Sequence, residues 1–264
     1  MKPGRSVFVI GPSGTGKSTF LRGALIAEGS GAVALAPSVD EYASYSDLAE
    51  IEGFTIKGFD DFDTLLQWLR KVYAVNAKAL RDSGELVHRV LGLDTFTGID
   101  RLAVLKQLSR LGLEDIPKAQ SPEGADFYSG LRKDMEMVAH VCSAIRGLGL
   151  HWIATGHTME RQDEAAMDQL EAGPKQQLPI FRGSFRNAAP APFDLVLHSL
   201  KRKQGNELIY ALQWKSGAKK AAKSRFGDLA DGAFIPASWV EVKQRVEAAE
   251  ARRKEELLKA LGKS

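Results

Sequence analysis

The chain has 264 residues, of which 44% are hydrophobic and 26% charged, enough for one large domain or one domain with appendages. Its formal net charge of +3 is too small to name a partner. One cysteine, Cys142, excludes an internal disulfide framework and fits a reducing compartment. No apolar run is long enough for a membrane span and the N-terminus lacks a signal-peptide pattern, so a soluble, cytoplasmic protein is expected.

In chain order, "SVFVI" (6–10) is a short β-branched run of the kind that forms a buried strand. "STFLRGALIAEG" (18–29) reads as a helix stopped by Gly29, and "GAVALA" (31–36) as a second strand. Residues 60–84 are helical: Asp60 or Asp61 caps them, and Phe62, Leu65, Leu66, Leu69, Val72 and Tyr73 recur at helical spacing. "LVHRVLGLD" (86–94) is a third strand and "IDRLAVLKQLSRLG" the next helix. A long helix covers about 127–147, with Cys142 on its apolar face, and "LHWIATGH" (150–157) is a fourth strand. Strands alternating with helices long enough to cross over predict an α/β fold, a mainly parallel sheet with helices on both faces.

The last third changes style. "DLVLHSLKR" and "NELIYALQW" flank "KQGN", the pattern of an antiparallel hairpin added to the sheet. From residue 236 to Ser264 the chain is alanine-rich and charged, a helix that follows a main domain of residues 1–235. That helix packs along Val240, Val246 and Leu257, or is an arm for an oligomer or a protein partner.

The chemistry concentrates in "GPSGTGKST". Gly11, Gly16, Lys17 and Ser18 match GxxxxGK[ST] in full, between a strand and a helix as the motif requires. Glycines let backbone N–H groups wrap a phosphate without clash, and the helix start aims its positive dipole end at the same anion. Residues Gly11, Pro12, Ser13, Gly14, Thr15, Gly16, Lys17, Ser18 and Thr19 would form the nucleotide cradle, with Lys17 on the β- and γ-phosphates and Ser18 on Mg²⁺. Asp94, at the end of the third strand, is the candidate metal carboxylate; otherwise it caps the following helix. Thr155 and His157, at the end of the fourth, are placed to sense the γ-phosphate or orient water. The catalytic carboxylate should follow the second strand, where Asp40 and Glu41 both stand, with Glu41 preferred on reach.

The order of these segments resembles a RecA-type P-loop ATPase, and more closely the phage-encoded RecA-like ATPases of the single-strand-annealing Sak type. The resemblance rests on "GPSGTGKST", "LGLDTFT" (91–97), Phe127–Tyr128, "ATGHT" (154–158) and "KKAAKSRFGDL" (219–229), and it spans about residues 5–236. It implies ATP and Mg²⁺ as cofactors and assembly into an oligomer. Lys223 and Arg225 match the Lys-x-Arg segment that such rings or filaments insert into a neighbour's nucleotide site. The second-strand carboxylate departs from the recombinase pattern.

Residues 198–227 hold eight Lys or Arg and one acid, Glu207. Lys201, Arg202 and Lys203 of that stretch, with Lys175, Arg182 and Arg186 and the interleaved Phe181 and Phe185, are candidate contacts for single-stranded DNA; alternatively, Phe181 and Phe185 anchor a long loop on the core. The expected protein is a DNA-stimulated ATPase acting in phage recombination or replication. A small-molecule kinase, or a loader working on a protein partner, would use the same cradle.

Overall fold

All six residues of the first strand, β1 (Ser6–Gly11), are buried, as a strand covered by helices on both faces requires. The computed structural model describes residues 2–36, 39–161, 176–204, 207–215, 222–230 and 232–261. From β1 the chain enters α1 (Lys17–Glu28), which ends where Gly29 turns left-handed at φ 75°. β2 (Gly31–Leu35), α2 (Val39–Ala43) and β3 (Phe54–Gly58) follow. Next come α3 (Phe62–Ser83), whose Asp61 cap accepts from the Thr64 amide, and β4 (Val90–Asp94). α4 (Phe96–Leu111) and α5 (Pro122–Gly147) begin at the Thr95 and Ser121 caps. β5 (His151–Arg161), β6 (Gln176–Pro179) and the short α6 (Phe185–Ala188) lead to the hairpin of β7 (Leu195–Gln204) and β8 (Glu207–Gln213). β9 (Lys223–Ser224), β10 (Phe234–Pro236) and α7 (Trp239–Ala260) complete the chain.

The main sheet runs β10-β8-β7-β1-β5-β4-β2-β3. From β7 to β3 every pairing is parallel, while β8 and β10 are antiparallel additions at one edge. This is the α/β class with a C-terminal hairpin and helix that the pattern predicts. β3 was not foreseen: "FTIKG" is an edge strand with mostly exposed side chains, so it lacks the apolar run of its neighbours. The third strand is also shorter than expected, because residues 86–89 are loop before Val90.

Alternation along each strand divides the core in two. Phe8, Ile10, Leu91, Leu93 and Trp152 pack with α3, α4 and α5, whereas Val7, Val9, Val33 and Leu35 pack with α1 and α7. Cys142 is buried in the first layer, and desolvation there pushes its thiol pKa up. α7 corrects one expectation. Its buried stripe is Trp239, Val242, Val246 and Ala249, while Val240 and Leu257 are exposed. Residues 251–261 of that helix and its end stand clear of the core. No helix among the described residues is long and apolar enough to cross a membrane.

Candidate functional site

Register brings the carboxyl ends of four strands, β1, β2, β4 and β5, to one edge: Gly11 pairs with His157, Val9 with Thr155, and Leu35 with Asp94. The phosphate-loop residues 11–19 start at that edge. Gly14 and Gly16 adopt φ of 71° and 86°, a region that costs a residue with a Cβ about 1 kcal/mol or more. Gly11 has no room for a side chain either, since a Cβ there would lie 2.5 Å from the Ser199 carbonyl oxygen. Ser199, a residue the sequence did not single out, also donates its hydroxyl to the Thr15 carbonyl, so β7 braces the loop. Thr15 in turn donates to the Pro12 carbonyl at 2.8 Å.

Lys17 is buried and folds back on its own loop, donating to the carbonyls of Gly11 at 3.1 Å and Pro12 at 2.8 Å. Burial lowers its pKa, and the negative charges of Asp94 and Glu41 oppose that shift. Those bonds to loop carbonyls are replaceable: an incoming phosphate offers the ammonium a stronger, charged acceptor. Ser13, Gly14, Gly16, Lys17, Ser18 and Thr19 line a cavity of about 240 Å³, together with Glu41, Thr95, His157 and Tyr210.

Asp94 is fully buried, and each carboxylate oxygen has a hydroxyl donor. Thr155 Oγ1 donates to Oδ1, and Tyr45 Oη donates to Oδ2 at 2.7 Å. Burial, and then the neighbouring Asp94 charge, raise the Tyr45 pKa well above its ordinary value, so the phenol stays protonated as a donor. The helix cap falls to Thr95, whose hydroxyl accepts from the Gly98 amide at 2.9 Å; Asp94 does not perform it. A carboxylate offers about four acceptor positions, so two hydroxyl donors leave capacity for a cation or its water. Tyr45 also lies 3.4 Å from the Ser18 carbonyl, which makes Ser18 and Asp94 neighbours. A carboxylate and a hydroxyl are hard oxygen donors, the set that Mg²⁺ takes beside a triphosphate.

Glu41 of α2 reaches this cavity, whereas the side chain of Asp40 lies outside the described residues. His157 Nδ1 lies 3.4 Å from Ser13 Oγ, and its amide donates to Thr97 Oγ1 at 3.2 Å. Burial, then the Lys17 charge, lower the His157 pKa against the raising effect of Asp94, keeping a neutral imidazole at the loop near pH 7.

The remaining candidates separate in space. Phe181 and Phe185 are corrections: they are 0% and 2% exposed and pack edge-to-face, with Phe181 5.3 Å and Phe185 5.9 Å from the Phe96 ring. A ring with no accessible face cannot stack on a base, and burying it in the core releases more free energy than leaving it in water. Arg182 is exposed next to them; Lys175 and the side chain of Arg186 lie outside the described residues. Lys201, Arg202 and Lys203 are exposed on β7 but do not share a face. Lys201 stands over Tyr210 at 5.7 Å, beside the phosphate loop, whereas Arg202 stands over Phe234 at 4.2 Å. Lys223 and Arg225 sit at the opposite end of the sheet from the loop of their own chain, because β9 pairs with the start of β7. Lys223 donates to the carbonyls of Pro190 and Ala191, and Arg225 to the Ala191 carbonyl and, at 3.5 Å, to Asp194.

Tyr45, Ser199 and Tyr210 are the site residues that sequence reasoning missed. Only Tyr210 had a signal there: strand alternation in the expected hairpin puts it directly across from Lys201.

No family model matches the chain, and no curated protein matches it. Among solved structures the chain is similar to a KaiC-like protein from the hyperthermophilic archaeon Pyrococcus horikoshii, at 15% identity and a TM-score of 0.42, over 81% of this chain and 79% of that one.

Proposed function

We propose that this chain binds ATP with Mg²⁺ at residues 11–19 and hydrolyses it, as an oligomer that acts on single-stranded DNA in phage recombination or replication. The observation that carries the reading is the convergence of Lys17, Glu41 and His157 on one cavity at the phosphate loop, with Asp94 held beside Ser18. Lys17 would exchange its loop carbonyls for the β- and γ-phosphates. Asp94 and Ser18 would hold Mg²⁺, which neutralises charge on the phosphate oxygens when bound. Glu41 is the carboxylate in position to orient the attacking water, and neutral His157 the group in position to hydrogen-bond the γ-phosphate.

Lys223 and Arg225 are far from their own loop, so their part in hydrolysis is played at a neighbour's site, after their bonds to Pro190, Ala191 and Asp194 are exchanged. Such a cation in trans is worth about 10³- to 10⁵-fold in rate. DNA would lie along the exposed basic side chains of β7, with Arg182 nearby, and its binding would weaken steeply with salt.

The test is ATP hydrolysis with and without single-stranded DNA at two salt concentrations, for wild type, Lys17→Ala and Arg225→Ala. DNA-stimulated, salt-sensitive turnover that both variants abolish is expected. Turnover indifferent to DNA and to Arg225→Ala refutes the oligomeric DNA reading and favours a kinase or loader using the same cradle.

A further inference from the structure

The hairpin of β7 and β8 touches the phosphate loop at two glycines. A Cβ on Gly16 would lie 2.8 Å from Tyr210 Cδ1, and a Cβ on Gly14 would lie 4.0 Å from Lys201 Nζ. Tyr210 and Lys201 are directly opposed across the two strands, with the ammonium 5.7 Å from the ring centroid. The loop therefore has a ready-made wall of one aromatic face and one cation, supplied by the same chain. Tyr210 is 43% exposed and lines the cavity, so part of this large aromatic is left open to a ligand.

The lining of the cavity is of two kinds. Ser13, Glu41 and His157 gather where phosphate charge and water would be handled; Tyr210 has no charge and lies against Gly16, where α1 begins. An aromatic ring against Gly16 suits a ring of the ligand, and the ammonium near Gly14 suits its phosphates.

The geometry points to Lys201 and Tyr210 as a nucleotide-binding edge acting in cis: Tyr210 stacks on the nucleoside of a nucleoside triphosphate, and Lys201 adds a second ammonium to its phosphates. This deepens the ATP reading and rests on it. It also moves Lys201 from the set of DNA contacts to the nucleotide site.

Calorimetric titration with ATP and, separately, with inorganic tripolyphosphate separates the two roles, because only ATP carries a nucleoside. Tyr210→Ala should weaken ATP about tenfold or more, the range of base stacking on an aromatic side chain, and leave tripolyphosphate unchanged; Tyr210→Phe should bind ATP like wild type. Lys201→Met should weaken both ligands by similar factors. If Tyr210→Ala weakens tripolyphosphate as much as ATP, or weakens neither, the ring only shapes the loop and the stacking role is overturned. If Lys201→Met leaves both unchanged, its phosphate role is overturned. Wild type that binds neither ligand overturns the ATP reading itself, as does a Lys17→Ala variant that binds ATP undiminished.

Discussion

Tyr45→Phe removes one hydroxyl from a closed site and nothing else. That hydroxyl donates to Asp94 Oδ2 at 2.7 Å, and donor and acceptor are both 0% exposed. Water cannot replace it without opening the core formed by Tyr45, Leu48 and α1. A hydrogen bond to a charged group is worth about 1.5–3 kcal/mol, and an oxygen left short of a donor keeps its desolvation cost. The Thr155 hydroxyl remains on Oδ1, so the carboxylate is weakened as an ordered group without being abandoned. A loss of about 2 kcal/mol is therefore expected, which in a chain of this size lowers Tm by about 4–8 °C. Thermal unfolding followed by circular dichroism measures it, with Tyr42→Phe on exposed α2 as the silent control. Because Asp94 is the candidate metal carboxylate, the Mg²⁺ concentration for half-maximal ATP turnover should also rise. A Tm within about 1 °C of wild type, with unchanged Mg²⁺ dependence, refutes the claim that Tyr45 holds Asp94.

Phe181→Ala should destabilise the fold by about 3–5 kcal/mol in denaturant unfolding, as expected for a buried ring removed to a cavity; if stability is unchanged while DNA binding falls, the core assignment is wrong. Asp194→Asn should cost about 3 kcal/mol, since it removes the charge facing Arg146 at 2.9 Å and Arg225 at 3.5 Å at the start of β7. Acid sensitivity follows from His151, whose pKa burial brings down to about 4 against the raising effect of Glu28 and with the help of Lys243 and Arg5. The unfolded chain takes up that proton near pH 6.5 and the folded one only near 4, so stability falls as pH drops through that window, by up to about 3 kcal/mol. His151→Gln should flatten that part of the profile; an unchanged slope would place the acid sensitivity elsewhere.

Much of this protein was legible in one dimension because it depends on local pattern. The match at residues 11–18, with a strand before it and a helix after it, marked the candidate phosphate loop without any tertiary information, and the structure has that strand and helix. Apolar runs separated by helices required a mainly parallel sheet, since only crossover helices can cover both faces of such strands. Asp94, Thr155 and His157 were expected at one edge, where the register puts them, because carboxyl ends of parallel strands collect there.

What tertiary structure alone decided is which surface each residue faces. "PKQQLPIFRGSFRN" reads equally well as a nucleic-acid loop or as a core anchor; the space beside Phe8 and Phe96 settled it for Phe181 and Phe185. Tyr45 meets Asp94 across 49 residues of sequence, and Ser199 meets Thr15 across 184. No periodicity encodes such meetings, because they arise only when separate elements pack. Lys201, Arg202 and Lys203 form one charge run in sequence, but the pleat of β7 sends Lys201 to the phosphate loop and Arg202 to Phe234. A basic run has a sign along the chain; its direction belongs to the sheet.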